Sequence, residues 1–365
     1  MPKNGTVENR LCELFGFADV VLFGRARSGL VALLEILGGP GSDLPVLIPS
    51  NICPAIIASI VAASARPRLV SVSAKSGLAS DAGFAEAIRQ ESHQGLVMPT
   101  HLYGLRDDYP ETRRVAAQAG WFVLENDTLA SARVRENRRI AFGDALLVSF
   151  GDSKTIECTC GGAILTDNTA LCRQLADRAA AWPPINDEAL RLEHDLTLIR
   201  RYLRQSGRPE LSEALLSLDA QYTRHSFPAA NRSHLESCFD HLPRLLDGRW
   251  NRMRLWENAL APFADELLAP PQEPTTPWRL VRRLRRPEVR NHIVAALRLA
   301  SIDVGTNYPP LNETFPKLLS AEPFPEAAEW GCGVINLWLT DNVDFGVVET
   351  AAKVIERSLR AAGQS

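Results

Sequence analysis

Five short apolar runs, residues 20–23, 46–49, 68–72, 95–98 and 121–125, alternate with helix-patterned segments at 30–37, 55–63, 79–90 and 110–119. No other feature of the chain constrains its fold as strongly. Runs this short suit strands, while the intervening segments carry the wider spacing of an amphipathic helix. Such alternation predicts an α/β fold, with a mostly parallel sheet covered by helices on both faces. Ligands of such sheets bind beyond the carboxyl ends of the strands. Arg27 with Ser28, Cys53, His101, Asp127 and Lys154 each follow a predicted strand, so polar or reactive groups gather at one sheet edge.

The stretch with the most pointed chemistry is Ser149-Phe150-Gly151-Asp152-Ser153-Lys154, with Gly161-Gly162 behind it. Apolar runs precede and follow it, which predicts a short loop presenting Lys154 between two strands. A lysine at strand ends attacks a carbonyl carbon once burial or neighbouring charge lowers its pKa. A covalent imine with pyridoxal phosphate (PLP) is the best-known use of such a lysine. An arbitrary lysine in a turn is more often a solvated surface group, so the neighbours decide. Upstream, Gly24-Arg25-Ala26-Arg27-Ser28-Gly29 joins the first strand to the first helix. Free N–H groups and the helix dipole make such a turn an anion site. Ser28 then serves as N-cap and Arg27 as phosphate partner. Taken alone, an ordinary loop with a capping serine accounts for the same residues.

The 365 residues suggest a large and a small domain. The pattern puts the large one at 1–225 and a smaller C-terminal α/β domain at 226–365, with a hinge at 226–231. A net charge of -3 leaves no basic footprint for nucleic acid. No apolar run approaches the ~20 residues of a membrane span, and the N-terminal segment lacks the pattern of a signal peptide. Seven scattered cysteines argue against a disulfide framework and fit a reducing cytoplasm. Cys158-x-Cys160 has no second Cys/His pair, and the seven histidines show no ligand spacing, so no metal is expected.

In their order and spacing these blocks resemble the DegT/DnrJ/StrS family of sugar aminotransferases, which has the fold-type-I PLP architecture. Pro49-x-x-x-Cys53-Pro54, His101-x-Tyr103-Gly104 and Val123-Leu124-Glu125-Asn126-Asp127 carry the likeness in the first half. Gly143-Asp144 followed by Ser149-Phe150-x-x-x-Lys154 and Gly161-Gly162 matches the lysine block, and Asn307-Tyr308-Pro309-Pro310 resembles the family's His-Tyr-Pro-Pro segment. Residues 170–250 match poorly. The resemblance implies a three-layer α/β/α large domain and a homodimer with shared active sites. It implies transfer of an amino group from a donor, such as an amino acid, to a keto or aldehyde acceptor, such as a sugar or natural-product intermediate. Lys154 would hold PLP covalently and shuttle the substrate proton. Ser149, with Ala26, Arg27 and Ser28, would bind the cofactor phosphate. Cys53 stands where the family usually stacks an aromatic residue on the pyridine ring; a buried small hydrophobe is an equal reading of that cysteine. His101 and Tyr308 would face the substrate.

Several positions depart from the family pattern. Its Asp, which keeps the pyridine nitrogen protonated, falls at Asn126, with Asp127 one residue later. A slip or bulge at the strand end would bring Asp127 into place, and the need for a carboxylate favours it; strand alternation places Asn126 and Asp127 on opposite faces, so only one of them can face the cofactor unless the strand bulges. The family's Gln or His three residues after its Asp would stand at Leu129 or Ala130. Its Asn-Tyr-Arg segment, which reaches the partner's cofactor, is not recognisable around Tyr222, Arg224 and His225, and Arg25 and Arg27 replace small residues. Two alternatives therefore stay open: a PLP enzyme catalysing elimination, decarboxylation or condensation, and a PLP-binding protein without turnover.

Overall fold

The structure is a computed structural model that describes residues 6–39, 41–129, 142–319 and 323–363; Ala130 lies outside them. The larger sheet has seven strands: β1 (Asp19–Phe23), β2 (Pro45–Pro49), β3 (Arg66–Val70), β4 (Leu96–Val97), β5 (Phe122–Asn126), β6 (Ala145–Ser149) and β7 (Gly162–Thr166). They lie in the order β1-β7-β6-β5-β4-β2-β3. Pairing is parallel from β6 across to β3, while β7 runs antiparallel to both its neighbours. The expected α/β class and mostly parallel sheet are therefore present.

Burial on both faces explains why these strands read as continuous apolar runs rather than alternating ones. In β2, Val46 and Ile48 join one core and Leu47 the other. Leu124 and Leu147 face the first core, beneath the helices Ala26–Gly38, Pro54–Ala62 and Thr169–Ala181, while Val123 faces the second, beneath Asp81–Gln90 and Pro110–Ala119. β3 carries Pro67 and lies at the sheet edge, where a missing ladder donor is tolerated.

The first helix after β1 begins at Ala26 instead of Leu30. Arg25 is extended (φ -148°) at its N-cap, and the amides of Ser28 and Gly29 turn back to the Arg25 carbonyl. The turn expected from the sequence is thus the first turn of the helix itself.

The smaller sheet contains β8 (Leu267–Leu268), β9 (Arg279–Leu284), β10 (Val304–Gly305) and β11 (Val334–Trp338), all antiparallel, in the order β10-β11-β9-β8. Leu280, Leu284, Ile335 and Leu337 pack one face against the helices Pro287–Leu299 and Phe345–Gly363. Val281 and Val334 turn the other face toward Tyr103, Trp278, Tyr308 and Trp330, beside the larger sheet. The two cores are linked by one helix, Arg232–Leu260. Its Leu235, Phe239, Leu242 and Leu246 pack with the N-terminal helix Val7–Phe15, and its Met253, Trp256 and Leu260 with the smaller sheet. The sequence predicts only its second half, because Pro243 removes a backbone donor and interrupts the pattern. Apolar burial on both sides of Pro243 carries the helix through. Among the described residues no helix is long and apolar enough to cross a membrane.

Candidate active site

Lys154 lies on the loop between β6 and β7, and the backbone is shaped to present it. Ser153 takes a left-handed conformation (φ 64°), and the Lys154 amide donates to the Gly151 carbonyl at 3.3 Å. Two side chains from beyond the larger sheet grip the loop. Trp278 Nε1 donates to the Ser153 carbonyl at 3.0 Å, and Arg249 Nη2 to the Lys154 carbonyl at 3.1 Å. Burial pushes the Lys154 amine from 10.5 down to about 8; Cys53 opposes the shift, while Arg279 and Arg25 assist it. Burial also drives the Tyr308 phenol well above its ordinary value, with Cys53, Tyr103 and the cationic Arg279 and Arg204 nearby. Tyr308 is fixed by its own amide, which donates to the Tyr103 hydroxyl at 3.1 Å; Trp330 Nε1 donates to the same oxygen at 2.9 Å. The fold thus gathers Lys154, Cys53, Tyr308 and Arg25, which are up to 283 positions apart in the chain (308 minus 25).

The anion end of the site is built on Ala26, Arg27 and Ser28. The amides of Ala26 and Arg27 open the helix, and the Ser28 hydroxyl is fully buried without a hydrogen-bond partner. The leading N–H groups of a helix, which have no intrahelical acceptor, and its dipole favour an anion there. Gly162 allows β7 to approach, because a Cβ at that position would lie 2.3 Å from the Ala26 nitrogen. Ser149 Oγ accepts from the Gly151 amide at 3.5 Å. A Cβ on Gly151 would stand 2.9 Å from Arg25 Nη1 and 3.8 Å from Ser149 Oγ, so these three groups meet.

The guanidinium at this point belongs to Arg25, not to Arg27 as expected. Arg25 is held by Glu193 Oε2 (2.7 Å from Nε) and the Thr159 carbonyl (2.7 Å from Nη1). Arg27 lies in a buried ion pair, with Nη1 2.6 Å from Asp219 Oδ1, and its Nη2 comes within 3.7 Å of the Glu193 oxygen that also holds Arg25; Arg200 takes the other Asp219 oxygen at 2.8 Å. Sequence reading had no means of separating the two arginines, since their carboxylates lie 168 and 192 positions downstream.

At the ring end, the expected bulge is not formed. β5 pairs with β6 in unbroken register, Leu124 with Ala145, Glu125 with Leu146 and Asn126 with Leu147, and the Asp127 amide still donates to the Leu147 carbonyl at 2.9 Å. Alternation then sets Asn126 on the side of Leu124, toward the helix Ala26–Gly38, and Glu125 on the opposite side. Contacts agree: Glu125 meets Arg106 at 3.4 Å and His101 Nε2 at 3.7 Å. Asn126 Nδ2 donates to Thr100 Oγ1 at 3.4 Å, and its Oδ1 accepts from the Thr128 amide at 3.3 Å. Asp127 is buried just beyond the strand. His101 sits apart from the lysine's neighbours, fully buried between Glu125, Tyr109 and Phe142. Leu129 is buried with Tyr103, Trp278 and Tyr308, so an apolar side chain stands where the family has Gln or His.

Residues 2–181 match the model of the DegT/DnrJ/EryC1/StrS aminotransferase family. Solved structures share its fold. An aminotransferase, TlmJ, from Streptoalloteichus hindustanus is 17% identical, with a TM-score of 0.76 over 98% of this chain and 90% of its own. Helicobacter pylori PseC, an aminotransferase involved in the biosynthesis of pseudoaminic acid, is 14% identical, with a TM-score of 0.74 over 97% and 90%. NtdA from Bacillus subtilis, solved with bound cofactor PMP, is 15% identical, with a TM-score of 0.70 over 96% and 76%.

Proposed function

We propose that this protein is a PLP-dependent aminotransferase that passes an amino group from an amino-acid donor to a keto or aldehyde carbon of a sugar or natural-product intermediate. The observation that carries the reading is Lys154, whose amine is lowered to about 8 between an anion-ready helix start and the Tyr308 end of the cleft. The residues present fit PLP. The Ala26 and Arg27 amides, the partnerless Ser28 hydroxyl, Ser149 and Arg25 suit its phosphate; Lys154 suits its aldehyde; Asn126 and Cys53 stand on the ring side.

When bound, PLP supplies the electron-withdrawing power that loosens bonds at the amine-bearing carbon of a substrate. The chain's own residues do the rest. With its value lowered to about 8 by burial, far more of the Lys154 amine is unprotonated at neutral pH than for an unperturbed lysine. Lys154 Nζ therefore attacks a carbonyl carbon readily and can take and return the substrate proton. Arg249 and Trp278 hold that amine's loop in place, and buried Tyr308 and Leu129 exclude water. Asn126 adds a hydrogen bond but no charge, and this one observation favours the second reading, a PLP enzyme whose reaction needs a weaker electron sink.

Borohydride reduction of the PLP-loaded protein, followed by peptide mapping, is expected to find the cofactor on the peptide with Lys154. A label on Lys75 instead would overturn the assignment. Spectral titration with amino acids separates the readings. Conversion to the pyridoxamine phosphate spectrum identifies transamination, product without it the second reading, and no amine-dependent change a binder. We read the chain as a cytoplasmic homodimer with large and small domains at 1–225 and 226–365. The family's shared active sites support the dimer, for which light scattering should give twice the chain mass. The free cysteines support the compartment.

A further inference from the structure

β9 opens with Arg279, which stands opposite Trp338 in the ladder with β11. Its face of the sheet also carries Val281 and Asn336, and Val281 packs with Tyr103, Trp278 and Tyr308 on the lysine side. Arg279 is only 6% exposed, yet no carboxylate pairs with it among the described residues, and its Nε has no hydrogen-bond acceptor. The guanidinium is wedged between two indoles, 3.5 Å from the Trp338 centroid and 4.3 Å from that of Trp278. It reaches as far as β10, where a Cβ on Gly305 would lie 2.9 Å from Nη1 and 3.1 Å from Asn336 Oδ1. Asn336 is fully buried. Its Oδ1 accepts from the Asn307 amide at 2.9 Å, which fixes the orientation of the amide group, and leaves Nδ2 as a second buried donor without an acceptor.

Burying a guanidinium without an anion is costly, and aromatic faces return only part of that cost. Two buried, unsatisfied donors on one face of the sheet, one of them cationic, describe the complement of an anion. The charged surroundings agree. The groups acting on Arg279 include Arg249 and Arg201, and the single carboxylate among them, Asp303, is exposed and forms no ion pair with it. Arg204, on the helix that faces this sheet, donates to Asn307 Oδ1 at 3.4 Å.

We propose that Arg279 and Asn336 form a binding site for an anionic group of the substrate, a carboxylate or a phosphoryl group, at the wall of the cleft facing Lys154. This inference rests on the aminotransferase reading for its orientation toward the lysine, but the binding site itself can be tested without turnover. The indoles flanking the guanidinium provide the signal. Purified protein is titrated with succinate and, separately, with inorganic phosphate, following tryptophan fluorescence and thermal unfolding. Both readouts are expected to respond in the wild type. In Arg279→Met the response should be lost while the unliganded unfolding temperature stays level or rises, because an uncompensated buried charge has gone. Arg279→Lys keeps the charge but not the fork, and should weaken binding roughly ten- to a hundredfold; it decides the matter if Arg279→Met does not fold. A wild-type response that persists in Arg279→Lys and Arg279→Met, or no wild-type response to either anion, overturns the proposal. With turnover established, Arg279→Lys should raise KM for one substrate only: the amino donor if its carboxylate docks here, the acceptor if its phosphoryl or carboxyl group does. An unchanged KM for both overturns it, whereas absence of turnover in the wild type strikes the functional reading and leaves the binding result standing.

Discussion

Removing the Lys154 amine should stabilise the cofactor-free protein at neutral pH, and the gain should vanish in alkali. In the unfolded chain this amine keeps its proton up to about 10.5; in the folded protein burial lowers the value to about 8. Below pH 8 both states are protonated and the folded state bears the full penalty of a buried charge. Between 8 and 10.5 the folded state releases a proton that the unfolded state keeps, so stability rises with pH; above 10.5 no penalty remains. A shift of about 2.5 units corresponds to about 3 kcal/mol, a ceiling because the lysine stem is partly exposed. With an unfolding entropy of about 2.1 cal/mol/K per residue over 365 residues, that is a gain of roughly 4 °C. Lys154→Met matches the side chain's length without its charge. Scanning calorimetry of cofactor-stripped wild type and Lys154→Met, from pH 6 to 10.5, should show a variant more stable at pH 7 and a gap that closes by pH 10.5. A variant less stable at pH 7, or a gap indifferent to pH, would refute the idea that burial tunes this amine.

Arg25→Ala should weaken PLP binding roughly ten- to a hundredfold in a fluorescence titration, the worth of one charge-assisted contact, with little change in unfolding temperature. Arg27→Ala should do the reverse, destabilising the protein by about 1.5–3 kcal/mol, the worth of one buried charge-assisted bond, because Asp219 keeps Arg200 as its other partner; equal effects on affinity would restore Arg27 to the phosphate. Asp127→Asn should leave turnover nearly unchanged, while Asn126→Asp, which puts a carboxylate on the cofactor side, should alter the spectrum of the bound cofactor. Orders-of-magnitude loss in Asp127→Asn would instead show that the strand bulges when the cofactor binds.

The parts of this fold legible in the sequence were those written in short-range patterns. β2 and β6 announce themselves because five consecutive buried residues must all be apolar or small. Lys154 was legible because loop, glycines and flanking strands lie within a few residues of it. What could not be read was long-range pairing. Arg25 and Arg27 look alike until Glu193 and Asp219 are folded back beside them. Asn126 against Asp127 turned on register, and a ladder that holds one more rung cannot be told from one that slips. Arg279 carries no local signature at all. Its significance comes from Trp338, Gly305 and Asn336 on two other strands, and from the absence of an acid among them.

The grip of Arg249 and Trp278 on the carbonyls of Lys154 and Ser153 has a mechanical consequence. Arg249 sits on the long helix and Trp278 at the threshold of the smaller sheet. A tilt of that sheet pulls on the lysine's own peptide bonds as well as on the apolar contacts of Val281 and Val334 with Tyr103. The C-terminal part of the molecule is therefore a lever attached to the backbone that presents Lys154. Changes that re-angle it to suit a new acceptor also re-aim the lysine.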